Sequence, residues 1–331
     1  MNIVEFARTL NLSTGTVSRA LNDRPEVSAR TRARVLERAR EVGFTCNPSA
    51  RRLVMGRSYL IRLECPSNAH VLSDRYLLEL ARALEEAASA RGYDLLLHMG
   101  AHRADAVEAC AADGLVVIAA PETTAEDLVR ITSGGRTPSV VIADAPVEGF
   151  QHTSYVCLNV LSGAGQALER LYALGHRRVG YIGSGHHNDR LRTALPDLYR
   201  TAGLEWNATL AAEAGTSVEE GLHATAHLLA EYRPTALFCR TDVLACGALR
   251  AAREAGLRVP EDLSIIGHDN TEIASLVHPA LTTVAIDIGE VAASAMRTLV
   301  NSISLPDPEG SCREIHHTHL LVRASCGPME G

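Results

Sequence analysis

Apolar residues at the start of the chain recur at helical spacing. Ile3, Phe6, Ala7 and Leu10 fall at i, i+3, i+4 and i+7, which predicts one apolar stripe along a first helix. Asn2 stands where an N-cap is wanted, and Glu5 where a capping box places its acid. After an Asn11-Leu12 turn, Ser13 can cap a second helix that turns Val17, Ala20 and Leu21 inward and puts Thr14, Gly15, Ser18, Arg19 and Asn22 on the opposite face. Ser28 caps a third helix, Ala29 to Val42, whose Val35, Leu36, Ala39 and Val42 close a small core, and Gly43 stops it. Two short helices joined by a tight turn make a helix-turn-helix. The second helix of such a pair enters the major groove with its N-terminal residues against base edges, where Thr14 and a forked Arg19 are useful, Arg19 above all. An ordinary pair of core helices has the same spacing, so the flanking residues must separate the two.

From Ser58 onward the pattern changes to short apolar runs alternating with helical ones. Strands are predicted at Leu95–His98, Leu115–Ile118 and Val140–Ile142, after helices at Tyr76–Ala90, Ala104–Ala112 and Glu126–Thr132. The second half repeats the pattern. Helices are predicted at Ala164–Leu174, near Arg192–Ala202, at Glu219–Glu231 and at Leu244–Glu254; strands at Val179–Ile182, Ala236–Cys239 and Leu263–Ile266. Continuous apolar strands alternating with helices imply parallel sheets buried on both faces, here in two doubly wound lobes.

Charge divides at the same place. The first 57 residues carry 11 Arg against 5 acids, whereas the whole chain of 331 residues has a net charge of −7. A basic module on a large acidic one implies that the module alone seeks phosphates. All 32 basic residues are arginine, a composition that fits a GC-rich genome and implies no function. The eight cysteines (46, 65, 110, 157, 239, 246, 312 and 326) contain no C-x-x-C and are spread as small apolar residues are, which fits a reducing cytoplasm. No signal peptide and no apolar run of membrane length is present, so no membrane partner is expected.

Several apparent active-site signals do not hold together. Gly183-Ser184-Gly185 and Gly163-Ala164-Gly165 lack the third glycine and acid partner of a dinucleotide fingerprint and read as turns. His186-His187 reads as an exposed loop pair that could also touch a ligand. His316, His317 and His319 have no Cys or carboxylate at zinc spacing, so no metal and no cofactor is expected. No convincing nucleophile, base or paired-carboxylate arrangement points to an enzyme.

The run Leu12-Ser13-Thr14-Gly15-Thr16-Val17-Ser18-Arg19-Ala20-Leu21-Asn22, then Val27 to Arg32, Gly43-Phe44 and Asn47-Pro48-Ser49-Ala50-Arg51-Arg52-Leu53, resembles the lactose-repressor and galactose-repressor (LacI/GalR) family of bacterial transcription regulators. The likeness continues through Gly175–Gly183, Pro234–Cys239, Gly256–Gly267 and Pro279–Val284. It implies a small all-α helix-turn-helix headpiece (1–45), a hinge helix or linker (46–57), and an α/β two-lobed effector domain like the type I periplasmic binding proteins (58–331). Lobe 1 is expected at about 58–155 plus 286–308, and lobe 2 at about 156–284 plus 311–326.

For DNA, the resemblance implies contacts from Asn2, Thr14, Gly15, Thr16, Ser18, Arg19 and Asn22, with Asn47, Ala50, Arg51 and Leu53 of the hinge over the minor groove. Leu53 would be the wedge that kinks the duplex; a plain basic linker is the other reading of that segment. Gly15 departs from the family by placing no side chain where many members read a base.

Parallel α/β lobes bind ligands beyond the carboxyl ends of their strands. That rule and the resemblance together pick Asp74, Tyr76, Arg190, Arg192, Thr241 and Asp269 as effector residues, with Arg192 preferred to Arg190. Thr241 replaces the usual Asn, Thr216 stands where relatives place a stacking aromatic, and Asn159 stands where an Asp is common. An ordinary surface-loop role is the other reading of each. The short stretch after Val322-Arg323 lacks heptads for a tetramer, so a homodimer on a pseudo-palindromic double-stranded operator is expected. The whole chain reads as a cytoplasmic, nucleoid-associated, effector-responsive repressor. An effector-independent DNA binder and, further off, a sugar- or nucleotide-converting enzyme are the competing classes.

Overall fold

Asn2 begins the first helix, α1 (Ile3–Thr9), with a complete capping box: its Oδ1 accepts from Val4 N and Glu5 N while Glu5 reaches back to the Asn2 N–H. Ser13 starts α2 (Thr14–Leu21) by accepting from Thr16 N at 3.0 Å, and Ser28 starts α3 (Ala29–Glu41) through Thr31 N. The three helices enclose Phe6, Ala7, Leu10, Val17, Ala20, Val27, Val35 and Ala39, and Phe44 stacks on Phe6 with ring centroids 4.2 Å apart. Leu36, expected in this core, is 37% exposed. Val35 and Ala39, one turn apart, take the inward direction that their neighbour's side chain does not share. This computed structural model describes residues 1–21, 26–44, 57–66, 74–99, 112–132, 137–150, 153–187, 189–304 and 311–329, which divide into two units, Met1–Tyr59 and Leu60–Gly331.

The second unit runs β1 (Leu60–Cys65), α4 (Arg75–Ser89), β2 (Asp94–Met99), β3 (Gly114–Ile118), α5 (Ala125–Ile131), β4 (Ser139–Ala143) and β5 (Ser154–Asn159). It continues through α6 (Val160–Ala173), β6 (Val179–Gly183), α7 (Arg190–Thr201), β7 (Ala211–Glu213), α8 (Val218–Glu231), β8 (Ala236–Cys239), α9 (Asp242–Glu254) and β9 (Ser264–Asp269). The last elements are α10 (Glu272–Leu276), β10 (Thr282–Ala285), α11 (Ile288–Ser304), β11 (Arg313–His317) and β12 (His319–Leu321). The helix expected at 104–112 lies outside the described residues.

These strands form two six-stranded sheets, ordered β11-β5-β4-β3-β1-β2 and β12-β10-β9-β8-β6-β7. All neighbours are parallel except β10 and β12. Because α4, α5 and α11 cover the first sheet and α6 to α9 the second, the central strands are buried on both sides and read as unbroken apolar runs. In each sheet the order reverses beside one strand, β1 in the first and β6 in the second.

Among the described residues the chain passes between the sheets three times: at Asn159-Val160, between β10 and α11, and at Thr318. This moves the expected lobe boundaries. Residues 156–159 and 313–317 belong to the first sheet, not to the second lobe, because β5 completes its pairing with both β4 and β11 before the chain crosses. Thr318 ties the first and third crossings together. Its Oγ1 accepts from Gly163 N at 2.9 Å and donates to Asn159 O at 2.9 Å, while Ser162 Oγ donates to Thr318 O at 2.6 Å. A side chain at Gly163 would run into Val284 and Thr318, so glycine here permits the close approach of α6 to the crossing strands.

Among the described residues no helix is long and apolar enough to cross a membrane, and no group of three or more His, Cys, Asp and Glu stands in a metal-holding arrangement.

Candidate functional site

On α2 the residues split by face. Val17 and Ala20 are buried, while Thr14, Gly15 and Arg19 are exposed at the start and along the outer side of the helix. Arg19 lies one turn beyond Gly15, and its guanidinium nitrogens sit 3.7 Å from where a Cβ on Gly15 would stand. The glycine thus leaves the space over which the arginine folds. Thr16 is half-buried, its Oγ1 paired with Ser13 Oγ at 2.8 Å, so it secures the turn and offers less to a base. Asn2 is exposed, with its Oδ1 committed to the α1 cap. Asn22, Asn47, Ala50, Arg51 and Leu53 lie outside the described residues.

In the second unit both strand-order reversals open on one cavity of about 700 Å³. From the first sheet it is lined by Asp74 and Tyr76 beyond β1, Ala119 to Ala125 beyond β3, and Asp144 beyond β4. From the second come Ser184, Asp189 and Arg190 beyond β6, Arg240 and Thr241 beyond β8, and His268 and Asp269 at the end of β9.

Arg240 is the centre of this cavity. Its guanidinium reaches Asp144 at 3.5 Å, Asp189 at 3.6 Å and Asp269 at 4.0 Å, so it spans carboxylates from both sheets. Burial alone would lower its basicity, but these three charges outweigh burial and raise it. Asp144 is raised by burial, partly offset by Arg240, and Asp74 is likewise raised by burial, against the backbone bond it accepts from Leu77 N at 3.2 Å. Asp269 is buried and has φ +100°, a backbone conformation that L residues rarely adopt, and the next residue, Asn270, has φ +53°. Strain of this kind persists where surrounding contacts hold it. Here His268 Nδ1 bonds Asp269 Oδ1 at 2.8 Å, and Arg323 donates to Asn270 Oδ1 at 2.7 Å. Asp242 also lines the cavity, accepting from Thr271 N at 2.8 Å and from the Thr283 hydroxyl at 2.6 Å; burial, reinforced by the charge of Asp269, pushes it up to about 7.

Residues 2–47 match the model of bacterial regulatory proteins of the lacI family, and residues 168–326 match that of a periplasmic binding protein-like domain. The chain is 31% identical over 341 residues to the HTH-type transcriptional regulator AglR of Rhizobium meliloti (strain 1021), covering 99% of this chain and 95% of that protein. The chain belongs to the LacI family. It is a DNA-binding transcriptional regulator, as are its relatives AglR and the CytR repressor of Escherichia coli (strain K12). Its fold is that of the lac repressor dimer bound to operator and the anti-inducer ONPF, with TM-score 0.83 and 24% identity over 98% of both chains. It is also that of the CelR–cellobiose complex, with TM-score 0.73 and 24% identity over 98% and 99% of the two chains.

Of the LacI-type effector residues expected from sequence, Asp74, Tyr76, Arg190, Thr241 and Asp269 border the cavity. Arg192 does not. Its guanidinium lies 5.8 Å from the Trp206 ring centroid, on another side of α7. Residues two apart on a helix point about 200° away from each other, so only one arginine of the pair can face the cleft, and it is Arg190, which donates to Asp144 O at 2.7 Å. Asp74 and Thr241 also cap their helices, α4 and α9, so each has one oxygen engaged. The expectations miss Asp144, Asp189, Arg240 and His268. Asp144 and Arg240 immediately follow the apolar runs of β4 and β8, and the carboxyl-end rule applied one residue further would find both.

Proposed function

We propose that this regulator is a repressor whose grip on a pseudo-palindromic operator is set by a small metabolite, a sugar or a related compound, held in the cavity between the two sheets. It acts as a homodimer in the cytoplasm, associated with the nucleoid. The observation that carries this reading is the cavity, in which polar and charged groups from both lobes converge on one space of metabolite size. The lac repressor neighbour is a dimer on its operator with ONPF, and CelR is in complex with cellobiose, which supports both the assembly and the ligand class.

In this reading Thr14, Gly15, Ser18 and Arg19 face the major groove, with Asn2, Thr16 and Asn22 around them and Asn47, Ala50, Arg51 and Leu53 at the minor groove. Asp74, Tyr76, Arg190, Thr241 and Asp269, joined by Asp144, Arg240 and His268, hold the metabolite. A ligand that contacts both lobes favours one of their relative positions, and operator affinity changes by the ratio of its affinities for the two states.

The test uses the full chain. Selection from random duplexes should yield a two-half-site consensus, and a metabolite panel should then contain a compound that raises Tm and changes affinity for that consensus. Stabilisation by roughly 2.7 kcal/mol is expected at a hundred times Kd. A monomer that selects no sequence at low salt would overturn the operator reading, and a consensus insensitive to every compound would overturn the effector reading.

A further inference from the structure

We infer that the metabolite carries a protonated nitrogen alongside hydroxyl donors: the cavity is that of an amine-bearing sugar or polyol. The inference rests on the effector reading above and narrows its ligand class.

The first ground is charge. The lining contains seven carboxylates and three arginines. Arg240 faces Asp144, Asp189 and Asp269 at 3.5 Å or more and pairs closely with none of them, while Arg190 spends a donor on the Asp144 backbone carbonyl. Arg240 and Arg190 bring two positive charges to these three carboxylates, of which Asp189 and Asp269 are buried and Asp144 partly so; a deficit remains, and buried charge is costly unless it is paired.

The second ground is hydrogen-bond demand, which is independent of net charge. His268 is fully buried at the cavity border, and its Nδ1 lies 2.8 Å from the Asp269 carboxylate, so that nitrogen carries the proton. In the neutral imidazole Nε2 is then a lone-pair acceptor, and it has no partner among the described residues. Asp144 has only the long 3.5 Å contact from Arg240 as a side-chain hydrogen bond among the described residues. Asp144 and a neutral His268 thus ask the ligand for donors, while Arg240 Nε and Tyr76 Oη, also without a hydrogen-bond partner among the described residues, are left to its hydroxyl oxygens. An ammonium offers three donors and the missing charge together; a neutral sugar leaves the carboxylates uncompensated, and a sugar acid or phosphate adds to their surplus.

Shape agrees with this. Tyr76 is the only Phe, Tyr or Trp in the lining among the described residues, and Thr216 occupies the rim without a ring. A nucleobase would find no pair of rings to lie between, whereas a hydroxylated amine needs none.

The test compares matched series on the full-length protein by thermal shift and calorimetry: glucosamine, glucose and glucuronate; galactosamine, galactose and galacturonate; 1-amino-1-deoxysorbitol, sorbitol and gluconate. In at least one series the amine should bind, and bind more tightly than its neutral and acidic counterparts. Asp144→Asn should weaken that amine roughly tenfold to hundredfold, the scale of one charge-assisted hydrogen bond. Amines that bind no better than their counterparts in every series, or an amine affinity untouched by Asp144→Asn, would overturn the inference; the wild-type comparison decides even where a variant does not fold. Response to a neutral sugar or a sugar acid instead would overturn the charge assignment and leave the effector reading standing, whereas silence toward a broad metabolite screen would remove both.

Discussion

Arg19 illustrates how much a single side chain can be asked to do. It is exposed on the outer side of α2 and folds over the gap left by Gly15, so it can bring a forked pair of donors to one base. Arg19→Ala should cost about 1–3 kcal/mol on the selected operator and relax preference at one position. Equal losses on operator and random duplex in a fluorescence-anisotropy titration would reduce it to a phosphate contact. Asp242 makes a different kind of prediction. Its ordinary value is 3.8 and burial lifts it to about 7, so the folded chain holds this proton over a window in which the unfolded chain has lost it. The associated stability is fully present below about pH 4 and is lost as pH rises toward 7. Asp242→Asn should flatten that decline when urea midpoints are compared between about pH 5 and 7, and an unaltered slope would show that the three threonine-derived bonds hold the carboxylate ionised.

At the scale of elements, α2 and the first crossing make opposite predictions for the same substitution. Gly15→Ala adds a methyl group at an ordinary van der Waals distance from Arg19 and removes a poor helix former, so the headpiece should gain up to about 1 kcal/mol while its operator preference shifts. Gly163→Ala places its methyl group against Val284 and Thr318 and should lower Tm by an amount corresponding to about 1–3 kcal/mol of overpacking. A neutral Gly163→Ala would mean that α6 can move away from the crossing strands without cost. Elements differ equally in how far the sequence shows them. The headpiece helices are legible because their caps and apolar stripes agree, down to the Asn2–Glu5 box. The strand β1 escapes notice because Arg62 and Glu64 interrupt its apolar run, yet both are buried as an ion pair at 2.5 Å with His98 on Glu64 at 2.8 Å. The helix α11 is also missing from the expectations, although Val291, Ala292, Ala295, Met296 and Leu299 recur at helical spacing. Within the site, Thr241 and Asp269 are legible from strand ends, and Asp74 and Tyr76 from the family resemblance. The choice between Arg190 and Arg192 is not, because it depends on where α7 begins, and Asp189, as the cap that sets that phase, reads from sequence as one loop acid among several.

For the molecule as a whole, the two lobes are already joined across the cavity by Arg240 to Asp144, by Arg190 to Asp144 O, and at its edge by Glu272 N to Glu79. Each of these ties is long, exposed or single, so together they hold one relative position of the lobes without making it the only one available. A metabolite that bonds Asp269 on one lobe and Asp144 on the other adds its binding energy to the same choice. Linkage then imposes a numerical condition. If a metabolite weakens operator binding by some factor, saturating operator must weaken metabolite binding by the same factor, whatever route the coupling takes through the chain. Calorimetric titration of the metabolite with and without operator should return that equality. Asp269→Ala should abolish both halves of it while leaving affinity for operator in the absence of metabolite unchanged. An Asp269→Ala protein that still responds to metabolite would move the binding site out of this cavity. One that loses operator affinity as well would show that the strained turn at Asp269 and Asn270 sets the resting position of the lobes in addition to sensing what lies between them.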